Sequence, residues 1–216
     1  MTMTIQERID AARKAQAQIL DYTQEQVDKL VSEIAKVIYL NAEPLAKMAV
    51  EETRLGKYED KIGKNTDTPT AFWAYLKDKK SVGVIREIPE EGIIEVAHPI
   101  GVIGAVTPAT NPTVTPLGNA MHALKGKNAL VITPAPRAEK TSTRTVELMR
   151  EALVKCGAPA DLIQIIEEIT IEKSAELMEK CDLVIATGGP GLTKAAYSSG
   201  TPAYGVGPGN PPVILD

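Results

Sequence analysis

Through residues 1–80 the apolar positions recur at helical spacing, and from residue 99 onward they come instead in short unbroken runs. Ile5, Ile9, Ala12, Ala15 and Ile19 mark one helical face. Thr23 followed by Gln26 is a capping-box pattern, and after it Val27, Leu30, Val31, Ile34, Val37 and Ile38 line a second face. Asn41 marks a stop, and Pro44 suits the first turn of a third helix that carries Leu45, Met48 and Ala49 and ends near Gly56. Tyr58 to Lys79 is a charged stretch, with Phe72, Trp73 and Leu76 as its expected buried residues.

The texture then changes. "SVGVIREIPEEGIIEVAHP" predicts two extended segments around a "PEEG" turn. "IGVIGAV" fits a strand buried on both faces, and "NALVIT", "DLIQII" and "DLVIAT" repeat that pattern. Helices are predicted between them: about Pro116 to Leu124, "EKTSTRTVELMREALVKCG" with Gly157 past its end, and "IEKSAELMEKC". "GGPGLTKAAYSS" predicts one more helix, and "PAYGVG" and "PPVILD" are read as the last extended pieces. Strands alternating with helices predict an α/β fold, a Rossmann-like parallel sheet with helices on both faces, preceded by a helical N-terminal region.

Composition narrows the partners. A formal charge of −4 and a single Phe and a single Trp argue against nucleic acid. The start, "MTMTIQERIDAARKAQ", has no apolar signal core, and no run is long enough to span a bilayer. Cys156 and Cys181 form neither a disulfide framework nor a metal pattern, which points to a reducing cytoplasm and to no metal. His98 and His122 stand alone and read as structural, and Glu90–Glu91 as a solvated turn.

Three strand ends are unusual, and in such sheets ligands bind beyond the carboxyl ends of the strands. "TPATNPT" begins at Thr107, "ITPAPRAEKTS" spans Ile132 to Ser142, and "ATGGPG" spans Ala186 to Gly191. Glycines let a backbone approach a phosphate, and a following helix N-terminus favours an anion. "ATGGPG" therefore reads as a pyrophosphate or ribose contact, or equally as an ordinary strand–helix turn.

Taken together, "HPIGVIGAVTPATNPT", "ALKGKNALVITPAPRA", "ATGGPGLTKAAYSSGTPA" and "GVGPGNPPVILD" resemble the coenzyme A-acylating aldehyde dehydrogenases. That group includes the aldehyde half of bifunctional aldehyde–alcohol dehydrogenases and a subgroup acting on sulfoacetaldehyde or succinate semialdehyde. "YTQEQVDKL" and "LAKMAVEETRLGKYEDKIGKN" are similar to its helical N-terminus. The resemblance implies residues 1–80 as a helical part of the cofactor domain, 81–98 as an oligomerisation excursion and 99–216 as the dinucleotide-binding core. It also implies a homo-oligomer, NAD or NADP as cofactor and coenzyme A as co-substrate.

The resemblance assigns Asn111 to the oxygen of the thiohemiacetal and thioester intermediates, a role that needs a fixed donor where charge develops. The plainer alternative is that Asn111 caps the following turn. Thr107, Pro108, Ala109 and Thr110 would line the nicotinamide side. Thr133, Pro134, Pro136, Thr187, Gly188 and Gly189 would hold the dinucleotide. Hydrolytic relatives carry "KPAE" where this chain has Thr133 to Pro136, so the charged ribose contacts are missing; Arg137 close by is either a 2′-phosphate ligand or a surface arginine. Gly205 stands where hydrolytic relatives place a glutamate that activates water. Without that base a thiol such as coenzyme A is the better nucleophile, which favours acyl transfer.

The nucleophilic Cys of such enzymes is expected outside this chain. Cys156 sits at a helix C-terminus and Cys181 at the wrong end of a strand, so both read as packing residues. The expectation is an enzyme half that is inactive alone. The alternatives are a non-catalytic nucleotide-binding or assembly subunit and, more weakly, a targeting helix over Thr4 to Tyr22.

Overall fold

The computed structural model describes residues 3–209 and 212–214. Four helices come first: α1 (Ile5–Ala17), α2 (Gln24–Leu40), α3 (Ala42–Thr53) and α4 (Tyr58–Leu76). A hairpin follows, β1 (Gly83–Ile88) and β2 (Ile93–Ala97). The sheet region then runs β3 (Val102–Thr107), α5 (Val114–Lys125), β4 (Ala129–Pro134), α6 (Glu139–Lys155), β5 (Ile163–Ile165), α7 (Ile171–Lys180), β6 (Leu183–Thr187), α8 (Pro190–Tyr197) and β7 (Ala203–Val206).

The sheet has five strands in the order β5-β4-β3-β6-β7, every pair parallel. All six residues of β3 and all six of β4 are buried, as their unbroken apolar runs require. Helices α5 and α6, backed by α2, cover one face, and α1 with α7 covers the other. The fold class expected from the sequence is the one observed. The helical N-terminus shares one apolar core with the sheet: Ile9 and Ile19 belong to it, as do Ile34, Ile132 and Val184. Fully burying side chains of this size stabilises by about 1.5–3 kcal/mol each.

Two starts are locked by capping boxes. Thr23 and Gln26 cap α2 as the pattern predicts, and Thr4 with Glu7 caps α1 in the same way. Gly157, at φ 78°, follows α6 in the left-handed conformation expected past a helix end.

Two expectations need adjustment. The charged stretch after Tyr58 is helical, as residues 1–80 are read to be, but its buried positions are Lys61, Asn65, Pro69 and Leu76. The first three are not hydrocarbon chains of ordinary helix interiors, so no apolar period shows. Phe72 and Trp73 are only half-buried. Within "PPVILD" the described residues 212–214 form no strand, and Val213 and Ile214 are exposed, while Pro211, Leu215 and Asp216 lie outside the described residues, as does Asn210.

The hairpin pairs antiparallel across a Pro89–Gly92 turn, with Gly92 at φ 65°. It stands apart from the core, and Val84, Ile94 and Val96 are exposed along it.

Candidate functional site

The chain lays β3, β4 and β5 outward in one direction, then returns to place β6 on the other side of β3. The loops leaving β3 and β6 therefore part in opposite directions, and a crevice opens at the strands' carboxyl ends. A cavity of about 680 Å³ lies there. Its walls are the ends of β3 (Thr107, Pro108), β4 (Thr133 to Pro136) and β6 (Thr187, Gly188), the start and inner face of α7, and Gly191 and Leu192 of α8.

The lining is apolar with a few hydroxyls, and it contains no charged side chain. Two of those hydroxyls are unusual. Thr107 is 2% exposed and Thr133 is 1% exposed, and neither Oγ1 has a hydrogen-bond partner among the described residues. A buried hydroxyl left unpaired costs about 1–3 kcal/mol. The two stand on neighbouring strands and flank one cavity.

Of the residues expected to hold a dinucleotide, the fold brings Thr107, Pro108, Thr133, Pro134, Pro136, Thr187 and Gly188 to this cavity. Ala109, Thr110, Gly189, Arg137 and Gly205 are not in its lining. Gly189 is the N-cap of α8. The Arg137 guanidinium donates to the Thr53 carbonyl at 2.9 Å, so it ties the end of α3 to the start of α6. Gly205 lies in β7 beneath α8, and a Cβ there would fall 2.6 Å from Thr193 Cγ2 and 2.9 Å from Tyr197 Cε2. A larger residue at position 205 would require the Thr193 and Tyr197 side chains to shift.

The α6 N-terminus is already occupied. Glu52 accepts from Lys140 N at 2.7 Å and from Thr141 N at 2.8 Å. That carboxylate satisfies the helix's free amides and leaves α8, behind Gly188 and Gly189, as the uncapped helix start at the crevice.

Asn111 sits on the loop between β3 and α5, outside the large cavity. Its side chain makes no capping bond to α5. Instead its Oδ1 accepts from Lys64 Nζ at 3.2 Å. Lys61, one turn earlier on α4, donates to the Thr110 carbonyl. Burial, with the charge of Lys64 added, pushes the Lys61 ammonium below its ordinary range. Sequence reading missed both lysines because it named only Phe72, Trp73 and Leu76 as the buried residues of that charged stretch. The available signal was their i, i+3 spacing, which puts both on one helix face.

The two thiols are poor nucleophiles. Burial raises the Cys181 thiol, whose Sγ packs 2.8 Å from where a Cβ on Gly104 would stand. Burial likewise raises the Cys156 thiol. A thiol above its usual range carries less thiolate near neutrality. Among the described residues no helix is long and apolar enough to cross a membrane.

Comparison with known proteins gives a consistent set of matches. The profile of the aldehyde dehydrogenase family matches residues 2–204. The chain is 55% identical to the succinate-semialdehyde dehydrogenase (acetylating) of Clostridium kluyveri over 99% of its own length and 47% of that protein's. It is 42% identical to the bifunctional aldehyde-alcohol dehydrogenase AdhE of Escherichia coli over 96% of its length and 24% of that protein's. Among solved structures, an acetylating aldehyde dehydrogenase from Geobacillus thermoglucosidasius superposes with a TM-score of 0.93 at 43% identity, covering 95% of this chain and 46% of the other. A propionaldehyde dehydrogenase of Rhodopseudomonas palustris, solved with bound CoA and an acylated cysteine, superposes at 0.83 and 34% identity over 98% of this chain and 48% of its own. An engineered glycolyl-CoA reductase with bound NADP+ does so at 0.83 and 34%, with 98% and 48% coverage. The chain thus spans about half the length of these solved relatives and a quarter to a half of the curated ones.

Proposed function

Because the chain belongs to the aldehyde dehydrogenase family, we propose that it is the nucleotide-binding half of a coenzyme A-acylating aldehyde dehydrogenase. The reaction is aldehyde plus coenzyme A plus NAD(P)+ giving acyl-CoA plus NAD(P)H, in either direction. One observation carries the reading: the 680 Å³ cavity at the sheet's switch point, with the unpartnered Thr107 and Thr133 hydroxyls beside it. A dinucleotide needs hydroxyl partners for its ribose and amide groups and a helix start for its pyrophosphate. The strand ends and the Gly188–Gly189 turn before α8 offer both. When bound, it takes up or gives back the hydride.

The chain's own residues do the holding. Thr107, Pro108, Ala109 and Thr110 form the nicotinamide side, and Thr133, Pro134 and Pro136 the adenosine side. Thr187, Gly188 and Gly189 meet the pyrophosphate. The lining carries no carboxylate to repel a 2′-phosphate and no cation to demand one, so NAD and NADP are both accommodated. Asn111 donates its amide to the oxygen on which charge develops. Gly205 carries no carboxylate, which leaves water without a base there and favours a thiol acceptor. The reacting cysteine is supplied from outside these residues, because neither Cys156 nor Cys181 lines the cavity and burial raises both thiols.

The substrate class we favour is a small polar aldehyde, on the strength of the likeness to succinate-semialdehyde dehydrogenase. The exposed apolar hairpin of β1 and β2 is proposed to dock on a second copy, since a lone hairpin is marginal in water. A reducing cytoplasm suits two free cysteines. The raised thiols also favour a second reading, in which the chain binds nucleotide without turning over and serves a partner. The test is reduction of NAD+ or NADP+ by the holoenzyme with succinate semialdehyde, with and without coenzyme A. Coenzyme A-dependent reduction is expected. Reduction of equal rate without coenzyme A would contradict the acylating reading, and nucleotide binding with no reduction at all would favour the second.

A further inference from the structure

Both α4 lysines reach the loop, Lys61 from a buried position and Lys64 from an exposed one. Lys61 is 7% exposed, and its ammonium is spent on the Thr110 carbonyl. Lys64 reaches Asn111 Oδ1. Two like charges three residues apart on one helix face repel each other, and burying one of them adds a desolvation cost that its bond to the Thr110 carbonyl offsets.

This is not a ligand site. The void between α4 and the loop, lined by Lys61, Lys64, Asn65, Asn111 and Thr113 among others, is about 10 Å³, room for a water at most. What remains is the effect on Asn111. A carboxamide has a donor end and an acceptor end of nearly equal shape, and either can face a given neighbour. An ammonium has donors only. Lys64 therefore selects Oδ1 as the end that faces it. Asn111 Nδ2 is then turned away, and it has no partner among the described residues. Lys61 holds the peptide immediately before Asn111, so backbone and side chain are fixed from the same helix.

We propose that Lys64 is a positioning residue that fixes the Asn111 amide with its NH2 group free for the reacting oxygen, with Lys61 anchoring the loop beneath it. The inference rests on the oxyanion role proposed above for Asn111. An amide free to flip would present its carbonyl to a developing negative charge for part of the time, which repels it.

A double-mutant cycle in the holoenzyme tests this, with kcat, KM and melting temperature measured for Asn111→Ala, Lys64→Met, Lys64→Arg and the Asn111→Ala/Lys64→Met pair. Asn111→Ala is expected to lower kcat about 10²–10³-fold. Lys64→Met is expected to lower kcat about tenfold with KM for aldehyde and nucleotide unchanged. Lys64→Arg, which also only donates, restores most of that loss. In the Asn111→Ala background Lys64→Met costs nothing further, because there is no amide left to orient. Losses that multiply, an effect confined to KM, or a Lys64→Met enzyme as fast as the parent would each overturn the positioning role. A near-normal Asn111→Ala enzyme would instead sink the oxyanion reading itself.

Discussion

The two ends of the parallel sheet treat polar groups in opposite ways. At the amino ends of the strands Asn128, Asp182 and Gln16 are all bonded within the fold. Asn128 Oδ1 accepts from Ile100 N at 2.6 Å and Gly101 N at 3.0 Å. Asp182 accepts from Val102 N at 2.7 Å and pairs with Arg13 at 2.9 Å, a pairing that raises the arginine further. Gln16 reaches across to the Lys127 carbonyl at 3.1 Å. At the carboxyl ends Thr107 and Thr133 are buried as deeply, yet their hydroxyls are left without partners. The same chain can evidently satisfy such groups. Thr113 Oγ1 and Asn119 Nδ2 are unpaired as well, but Thr107 and Thr133 stand beside a cavity and a glycine turn, and the proposal is that a ligand there supplies their partner.

Substitutions can break that contrast at either end. The largest expected effect is at the carboxyl side: Asn111→Ala should raise the activation barrier by about 3–4 kcal/mol while leaving the melting temperature nearly unchanged. Comparable losses in both would make Asn111 a structural residue. Next comes the amino side. Asp182→Ala leaves the Val102 amide unpaired and should cost about 2 kcal/mol of stability by chemical denaturation, with nucleotide affinity unaffected. Most of that comes from the amide, since the Arg13 side chain is half exposed and surface pairs contribute little.

Smaller and more discriminating is Thr107→Val, which replaces an unpaired hydroxyl by a methyl of similar shape. Stability should hold or rise by up to about 1 kcal/mol, and nucleotide affinity should fall by about tenfold. A destabilised variant would mean the hydroxyl already has a partner, and the contrast would fail. The smallest effect is in acid. Bonds from the Thr4 amide and hydroxyl hold the Glu7 carboxyl below its ordinary range. Its folded value is depressed, so its contribution is complete above the ordinary carboxylate range and is lost as pH falls through the folded value. Glu7→Gln should remove that part of the acid sensitivity of α1, the helix that carries Arg13 and Gln16. An unchanged acid limb would assign the sensitivity elsewhere.

How much of this is readable in the sequence follows from what each feature depends on. The strands are legible because burial on both faces demands unbroken runs such as Val102 to Val106. The Thr23 capping box is legible because both partners lie within one turn. The buried face of α4 is not, because it is built of Lys61, Asn65 and Pro69, and nothing in their hydropathy betrays it. The Glu52 cap on α6 joins residues 88 and 89 positions apart, a distance over which local patterns say nothing. The strand-end residues Thr107, Thr133 and Gly188 could be chosen in advance because the topology dictates where the crevice falls. The unpaired state of two hydroxyls could not, since it depends on what every neighbour fails to offer.

The central claim is that the carboxyl end of this sheet is kept for a dinucleotide. The most direct measurement is a calorimetric titration of the chain with NAD+ and NADP+, run in parallel on the Thr107→Val/Thr133→Val variant after its melting temperature is shown to match the parent. Saturable binding by the parent, weakened at least about tenfold in the variant, is the result expected. Equal binding by both proteins, or none by a folded parent, would contradict the claim.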